Sequence, residues 1–234
     1  MKYVIEFSKT GRMAHISHLD LSRVFLRALR MTGLRPIYSQ GFNPHPKMSI
    51  ALPLSLGQSS VCELLEIETL DDCATASSVD DLNSRLPNDI HVLSIRKKPE
   101  SVSKSLASYV SAAEYEILCD GIFDANERLY AFFAQDHIMI KKTSKKTGQT
   151  TEKDIRPDML TFSVRKELRG WLLCRVTLKA EAGSVLSPKT FFDAFISFIA
   201  GGEKVTESFN DSIPSITRMA IYGKDGEVLS GSPR

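Results

Sequence analysis

The order in which strand and helix signals follow one another limits this chain to few folds. From residue 1 to 98 the signals run β, α, β, β, α, β, and between residues 114 and 223 the same order returns. This order is typical of the ferredoxin-like, split βαβ arrangement. The sequence therefore predicts an α+β protein of two ferredoxin-like lobes in tandem, with a linker at 99–113 and a frayed tail at 224–234.

The best-defined predicted element is a helix that begins at Ser17 and ends before Gly33. Ser17 and Asp20 have the hydroxyl and carboxylate spacing of a helix N-terminus, and glycine commonly follows the last turn of a helix. Between them, apolar residues at helical spacing predict one buried stripe. The stripe consists of Leu21, Val24, Phe25, Ala28 and Leu29.

The other elements are predicted from alternating polarity, helical spacing and breaks at Pro and Gly. In the first half the predicted strands are 3–8, 35–39, 48–54, 62–69 and 89–97, with a second helix at 79–86. In the second half the predicted strands are 114–119, 138–143, 159–164, 171–180 and 216–222, with helices at 124–135 and 188–199.

Composition narrows the class of protein and its compartment. The 234 residues are 42% hydrophobic and 25% charged, as in an ordinary globular protein. No stretch approaches the roughly 20 apolar residues that span a bilayer, and the N-terminus lacks the apolar core of a signal peptide. We therefore expect a cytoplasmic protein without a membrane partner.

Cysteine spacing argues against a protein-bound metal or cluster. The four cysteines are Cys62, Cys73, Cys119 and Cys174. Their separations fit neither a zinc ribbon nor an iron–sulfur run, and a chain of this size needs no disulfide framework. The sequence predicts reduced thiols, no cofactor and no metal.

A net charge of +2 conceals a strong separation of sign. Residues 1–50 contain eight basic and two acidic residues, whereas residues 51–95 contain one basic and eight acidic residues. Arg23, Arg27 and Arg30 share the polar face of the predicted helix. A solvated polar face would account for them, and a face that contacts phosphates is the alternative, because the arginine fork matches phosphate geometry.

A second basic cluster lies in a polar segment of the second half. It contains Lys141, Lys142, Lys145, Lys146, Lys153 and Arg156. On a long hairpin these side chains could clamp a nucleic-acid backbone, and a merely solvated loop is the alternative. Basic clusters in both predicted lobes support an anionic partner more strongly than either cluster alone.

The loop from Tyr38 to Lys47 reads YSQGFNPHPK and is unusually constrained for a connection. His45 lies between two prolines, which fix φ on either side and restrict the preceding residues. Gly41 permits a tight or left-handed turn before an aromatic residue. Such a loop is suited to presenting Phe42, with its neighbours, to a ligand.

Three stretches of the chain resemble the bacterial radical-SAM-linked protein family, a domain of unknown function found beside, or fused to, radical SAM enzymes. They are KTGRMAHISHLDLSRVFLRALRMTGL, YSQGFNPHPKMSIALPLSLG and KDIRP. The resemblance is strong over residues 1–70 and afterwards rests mainly on residues 153–157. It implies a radical SAM partner. Such an enzyme usually holds its cluster with CxxxCxxC, which this chain lacks, so the chain would act as an accessory subunit in trans.

The first functional hypothesis is an RNA-binding accessory protein, in which Phe42 stacks on a base and basic side chains neutralise phosphates. A buried core role for Phe42 is the alternative. The residues assigned to nucleic-acid binding are Lys9, Arg12, Arg23, Arg27, Arg30, Gln40, Phe42, Asn43, His45, Lys47, Lys142, Lys146, Lys153 and Arg156.

Two further hypotheses stay open. The chain could be a phosphodiesterase or ribonuclease, and the candidate acid–base residues are His18, Asp20, His45 and Lys47. A metal-assisted version would use His15 and His18 with His45 or Asp20 as ligands. The chain could instead be a protein-interaction module whose acidic residues 63–89 face a basic partner.

Overall fold

A computed structural model describes residues 1–72, 76–99, 104–120, 130–143, 148–166, 171–181, 184–199 and 214–231. The helices are α1 (His18–Met31), α2 (Ala76–Asn83) and α3 (Pro188–Ile199), and residues 130–133 are also helical. The strands are β1 (Lys2–Lys9), β2 (Met48–Ile50), β3 (Ser59–Glu68), β4 (Ile90–Lys97), β5 (Val110–Asp120), β6 (Met139–Thr143), β7 (Thr150–Asp154), β8 (Met159–Lys166), β9 (Trp171–Glu181), β10 (Ser184–Val185), β11 (Ser215–Gly223) and β12 (Val228–Gly231). The chain is thus mixed α+β, with mostly antiparallel strands and few helices.

The chain forms two compact units. Unit 1 contains Met1–Ala113 and Thr217–Arg234, and unit 2 contains Glu114–Ile216. The predicted lobes had placed β11 in the second half. Most of β11 belongs to unit 1 because it runs parallel to β3, with Arg218 opposite Ser60.

In unit 1, α1 packs on an antiparallel sheet with the strand order β4–β1–β3–β2. The apolar stripe predicted for α1 is confirmed, because Leu21, Phe25, Ala28 and Leu29 are buried and Val24 packs against the same core. The ring of Phe25 meets that of Phe7 edge-on, with 4.6 Å between centroids. Each large side chain buried in this way stabilises the fold by about 1.5–3 kcal/mol.

The predicted start of α1 is also confirmed. The backbone N–H of Asp20 donates a 3.1 Å hydrogen bond to Ser17 Oγ, which satisfies a donor that the first turn cannot pair internally. Gly33 follows the helix with φ of +80°, a left-handed conformation that favours glycine.

Several predicted boundaries differ in unit 1. Residues 35–39 make only isolated bridges to Thr69 and Pro46 and form no strand, consistent with the missing N–H of Pro36. α2 ends at Asn83, three residues earlier than predicted. The chain then continues in tight turns, in which Arg85 N donates to Leu82 O and Leu86 N to Asn83 O, just before Pro87.

The segments predicted as linker and tail contain ordered structure. In the linker, the backbone N–H of Leu106 donates to Glu66 over 2.9 Å, and β5 begins at Val110. In the tail, β12 pairs with β11, and the hydroxyl of Ser230 donates to the Glu6 carboxylate. These contacts join residues that are far apart in sequence, so the local composition of the linker and the tail could not predict them.

In unit 2, β9 lies beside β5 on one side and pairs with β8 and β10. β6 and β7 form a separate two-stranded sheet. α3 and the helical residues 130–133 share a phenylalanine cluster in which Phe132 lies 5.4 Å from Phe195 between ring centroids. Of the helix predicted at 124–135, residues 124–129 lie outside the described part of the chain. Among the described helices, none is long and apolar enough to cross a membrane.

Candidate nucleic-acid interface

The exposed face of α1 carries three arginines. Arg23, Arg27 and Arg30 are all exposed, because the buried stripe occupies the opposite side of the helix. Arg23 pairs with Asp20 over 2.8 Å, and the two side chains are 77% and 53% exposed. An ion pair this exposed contributes little free energy, so Arg23 can exchange Asp20 for another anion.

The loop that follows α1 is a narrow hairpin. Its base is closed by backbone hydrogen bonds from Lys47 N to Ile37 O over 2.8 Å and from Ser39 N to His45 O over 2.7 Å. The N–H of His45 also donates to Ser39 Oγ over 2.9 Å. Because Pro46 fixes its own φ and restricts His45, the base of the hairpin is constrained by covalent geometry as well as by hydrogen bonds.

The tip of this hairpin presents an aromatic side chain to solvent. Phe42 has a relative exposure of 112%, the highest among the large apolar residues that the structure describes. The alternative of a core role for Phe42 is therefore excluded. Gly41, just before it, has φ of +130°, which favours glycine. Gln40 and Asn43 are exposed beside the ring, so ring faces and polar groups are available together.

The arginine face and the hairpin meet at one contact. The guanidinium of Arg30 hydrogen-bonds the hydroxyl of Tyr38, and its carbon lies 5.9 Å from the centroid of the Tyr38 ring. This distance is within the range of a cation–π interaction. Tyr38 bridges to Pro46 at the base of the hairpin. The contact therefore places the basic face of α1 next to the loop that carries Phe42.

Tyr38 is a residue of the candidate interface that the sequence assignment missed. It belongs to the YSQGFNPHPK loop, but nothing in its local pattern distinguished it from a strand residue. The available signal was an aromatic residue eight positions after an arginine on the polar face of a helix. A spacing of eight residues predicts a contact between Arg30 and Tyr38 only if the path of the chain between α1 and the loop is already known.

Lys47, at the base of the hairpin, shares a carboxylate with Lys2. Their ammonium groups lie 3.3 and 3.4 Å from the two oxygens of Glu68. Burial of Glu68 opposes its ionisation, but the hydrogen bonds from Lys47 and Lys2 prevail and lower its pKa. Lys47 remains 46% exposed and contributes positive charge near the loop.

The two basic residues before α1 differ in accessibility. Lys9 is 2% exposed and donates to the carbonyl of Ala14 over 3.3 Å, and burial lowers its pKa. Lys9 therefore does not reach a phosphate, and we remove it from the interface. Arg12 is exposed, and its backbone N–H donates to Asp89 over 2.8 Å.

Much of the acidic run of residues 63–89 is paired within unit 1. Glu63 pairs with Arg218, Glu66 with Lys98, Glu68 with Lys2 and Lys47, and Asp71 with Arg35. The separation of charge along the sequence is thus partly neutralised in the fold. Among the eight basic residues of 1–50, those on α1 and Arg12 remain the most available, because Lys9 is buried and the others are paired with Glu68 or Asp71.

The candidate acid–base residues do not form a connected site. In residues 1–72, which are described throughout, no hydrogen bond or ion pair joins any two of His18, Asp20, His45 and Lys47. Hydrogen bonds from Ser17 and Arg23 lower the pKa of Asp20. Over the whole described part of the chain, no group of three or more His, Cys, Asp or Glu residues could hold a metal ion.

The KDIRP residues of unit 2 form a structural cluster. Asp154 accepts hydrogen bonds from the backbone N–H groups of Ile138 and Arg156, over 2.9 and 3.0 Å, and from His137 over 2.7 Å. Lys153 pairs with Asp158 over 2.6 Å and keeps 39% of its side chain exposed. Two assigned residues cannot be placed, because Lys146 and the side chain of Lys142 lie outside the described part of the structure.

Comparisons with known proteins inform the fold and the family. A chain of the crystal structure of a Cbf5-Nop10-Gar1 complex aligns with a TM-score of 0.50 and 12% identity, covering 94% of this chain and 48% of that one. This chain therefore spans about half the length of its structural neighbour, and the likeness concerns the fold alone. A provisionally assigned glycine cleavage system transcriptional repressor aligns with a TM-score of 0.24 and 12% identity, over 93% and 96% of the two chains. No curated protein matches. The model of the family described as uncharacterized protein conserved in bacteria (DUF2344) matches residues 2–188, and the chain belongs to that family.

Proposed function

We propose that the protein is an RNA-binding accessory protein that acts in trans with a radical SAM enzyme. The observation that carries the RNA-binding part is the contact between Arg30 and Tyr38, which joins the arginine face of α1 to the hairpin of Phe42. Positive charge for phosphates and an exposed ring for a base then lie side by side. Single-stranded nucleic acid is bound by this combination in many proteins.

Single-stranded RNA fits this surface better than a double-stranded nucleic acid does. Phe42 can stack only on a base that is not already paired and stacked in a helix, and single-stranded RNA offers such bases. Arg23, Arg27 and Arg30 spread over about two turns of α1, and arginine pairs with phosphate in bidentate geometry. The surface therefore supports binding of a short unpaired RNA segment.

The radical SAM partnership rests on the family resemblance and on the cysteines. The chain contains no CxxxCxxC run, and Cys62, Cys119 and Cys174 are buried. Burial raises the pKa of Cys62 to about 12, which makes it a poor thiolate ligand. A partner enzyme would supply the cluster, and this chain would bind or present the RNA. We assign no catalytic step to its own residues.

The finer fold assignment belongs to the same proposal. The order β4–β1–β3–β2, with antiparallel neighbours and two helices between strands, supports a ferredoxin-like lobe for unit 1. For the second half, only the sequence order of elements supports a similar lobe.

The test is binding of the purified protein to total cellular RNA at two salt concentrations. In the Arg23→Glu, Arg27→Glu, Arg30→Glu variant we expect binding to disappear at both salt concentrations, because three phosphate contacts are replaced by charges that repel phosphate. A matched control reverses Arg85, Arg96 and Lys97, which are exposed elsewhere in unit 1 and change the net charge equally. If RNA affinity fell equally in both variants, the loss would be due to net charge and not to the α1 face. If the folded wild type bound no RNA, the proposal of RNA binding would be overturned.

The partnership is tested separately by affinity capture from cells that express the tagged chain. We expect recovery of an enzyme that contains CxxxCxxC, and recovery should persist after ribonuclease treatment. Capture without any such enzyme would contradict the trans-acting role while leaving the RNA result intact.

A further inference from the structure

Unit 2 contains a cleft of about 1080 Å³, which lies outside the RNA-binding surface proposed on α1 and the Phe42 hairpin. One wall is lined by β6, another by β10 and the residues after it, and a third by α3. Residues that line it include Phe132, Ile138, Ile155, Leu186, Thr190 and Phe198. Four of these six are at most 5% exposed, namely Phe132, Ile138, Ile155 and Leu186. The cleft therefore has a firm apolar base.

The wall formed by β6 is an unpaired strand edge. Three consecutive residues of β6, Met139, Ile140 and Lys141, line the cleft, although successive side chains point to opposite faces of a strand. Consecutive lining residues indicate that the backbone edge itself borders the cleft. Among the described strands, β6 pairs only with β7.

The pairing register identifies which backbone groups face outward. Ile155 N donates to Ile138 O over 2.9 Å, and Met139 lies opposite Asp154. In an antiparallel pair, hydrogen-bonded and non-hydrogen-bonded positions alternate. Met139 and Lys141 therefore occupy non-hydrogen-bonded positions, and their N–H and C=O groups point away from β7.

The walls lined by β6 and β10 are held in place by a polar link. Lys153 of β7 donates to Asp158 over 2.6 Å, and the hydroxyl of Ser184, in β10, donates to the same carboxylate over 3.2 Å. Asp158 is 6% exposed. A preformed cleft lowers the entropy cost of binding, and this link fixes the spacing between the edge of β6 and β10.

We propose that an extended acidic peptide of a partner protein binds in this cleft by adding a strand to the edge of β6. The outward N–H and C=O groups of Met139 and Lys141 would pair with the peptide backbone, and alternate peptide side chains would enter the apolar base. Met139 and Val185, each 55% exposed, would be covered. Such apolar exposure on a strand edge is typical of a binding surface.

Charge selects the occupant. Of the charged side chains that line the cleft, Lys153 is paired with Asp158 and Asp193 with Lys189. Exposed Lys141 therefore attracts an acidic residue of the peptide and repels the same lysine in a second copy of this edge. RNA is disfavoured, because Phe132 is 1% exposed and offers no face for stacking.

The experiment screens a random dodecapeptide library displayed on phage against the full chain, and then measures binding of one selected, fluorescein-labelled peptide. Lys141→Pro removes an outward N–H of the cleft edge. Glu152→Pro is the matched control, because Glu152 is the cross-strand partner of Lys141 and its N–H points to the other edge of the hairpin. Proline is tolerated at such edge positions.

We expect selected peptides to alternate apolar residues with others and to contain Asp or Glu. Binding should weaken about tenfold in Lys141→Pro, as expected for loss of one backbone hydrogen bond with its neighbouring contacts, and stay unchanged in Glu152→Pro. In the wild type, the peptide should slow amide hydrogen exchange at Met139 and Lys141, a readout that does not depend on the folding of any variant.

Four outcomes would overturn the proposal. The first three are failure to enrich any acidic alternating sequence, unchanged amide exchange at Met139 and Lys141, and displacement of the peptide by oligouridylate RNA. Self-association of the wild type that Lys141→Pro abolishes would also overturn it, because a second copy would then be the occupant.

Discussion

The guanidinium of Arg218 on β11 donates a 2.7 Å hydrogen bond to the carboxylate of Glu63 on β3, and both side chains are at most 2% exposed. The same guanidinium donates to the carbonyl of Leu52 over 2.6 Å. Lys9 responds to this pair, because burial lowers its pKa, the charge of Glu63 opposes that change and the charge of Arg218 adds to it. The core of unit 1 thus contains a buried ionic cluster formed by Arg218, Glu63 and Lys9.

We expect Arg218→Met to reduce the free energy of unfolding by about 3–5 kcal/mol, because Glu63 would stay buried without its ion-pair partner. Urea unfolding measures the change. Adding Glu63→Leu to Arg218→Met should restore much of the lost stability, since a pair of apolar residues can replace a buried ion pair. A double variant as unstable as the single one would show that the loss arises from the Leu52 contact or from packing.

Phe42→Ala should leave stability unchanged, since the ring is fully exposed, yet weaken RNA binding by about 1–3 kcal/mol for the loss of one stacked base. Fluorescence anisotropy with an unpaired RNA oligonucleotide measures the affinity. Phe42→Trp should retain binding because it keeps an aromatic face. Wild-type affinity in Phe42→Ala would remove the loop from the interface.

The junction between α1 and the hairpin can be divided into two interactions. Tyr38→Phe removes the hydroxyl that accepts from Arg30 but keeps the ring beside the guanidinium, whereas Tyr38→Ala removes both. We expect RNA affinity to fall by about 0.5–1 kcal/mol in Tyr38→Phe and further in Tyr38→Ala. Equal affinity in all three proteins would show that the junction does not position the loop.

The pair of His137 and Asp154 should make the β6–β7 hairpin sensitive to pH. The hydrogen bond and charge of Asp154 raise the pKa of His137 above 6.5. The stabilisation that protonated His137 gives to the folded hairpin is therefore complete below pH 6.5 and is lost as pH rises through the raised pKa. The hydrogen bond from His137, with those from two backbone N–H groups, lowers the pKa of Asp154 from 3.8 to about 2. The stabilisation that ionised Asp154 gives to the hairpin is complete above pH 3.8 and is lost as pH falls through about 2.

NMR titration of the His137 ring measures this coupling. Asp154→Asn should return the pKa of His137 toward 6.5, and amide exchange in β6 should accelerate above the raised pKa in the wild type only. A titration that is the same in both proteins would contradict the ion pair. His137→Gln serves as the control, because it removes the titrating group and keeps a hydrogen-bond donor.

Local patterns in the sequence predicted α1 well. The Ser17 cap, the apolar stripe and the end at Gly33 all depend on interactions within a few residues, which the helical repeat makes readable. The YSQGFNPHPK loop was also predicted as a constrained segment, because proline and glycine act on their own backbone and on their neighbours.

What the sequence by itself determined was the mixed α+β class, the helix α1 and the constrained backbone of the loop at 38–47, all of which follow from short-range backbone and polarity rules. Only the tertiary structure decided that Lys9 is buried and that Arg30 contacts Tyr38. It also decided that Arg218 pairs with Glu63, 155 residues away. The physical reason is that a charged side chain can lie in solvent or pair with an opposite charge in the core. Which of the two occurs depends on strand pairing between segments that are distant in sequence. A local pattern carries no information about that choice.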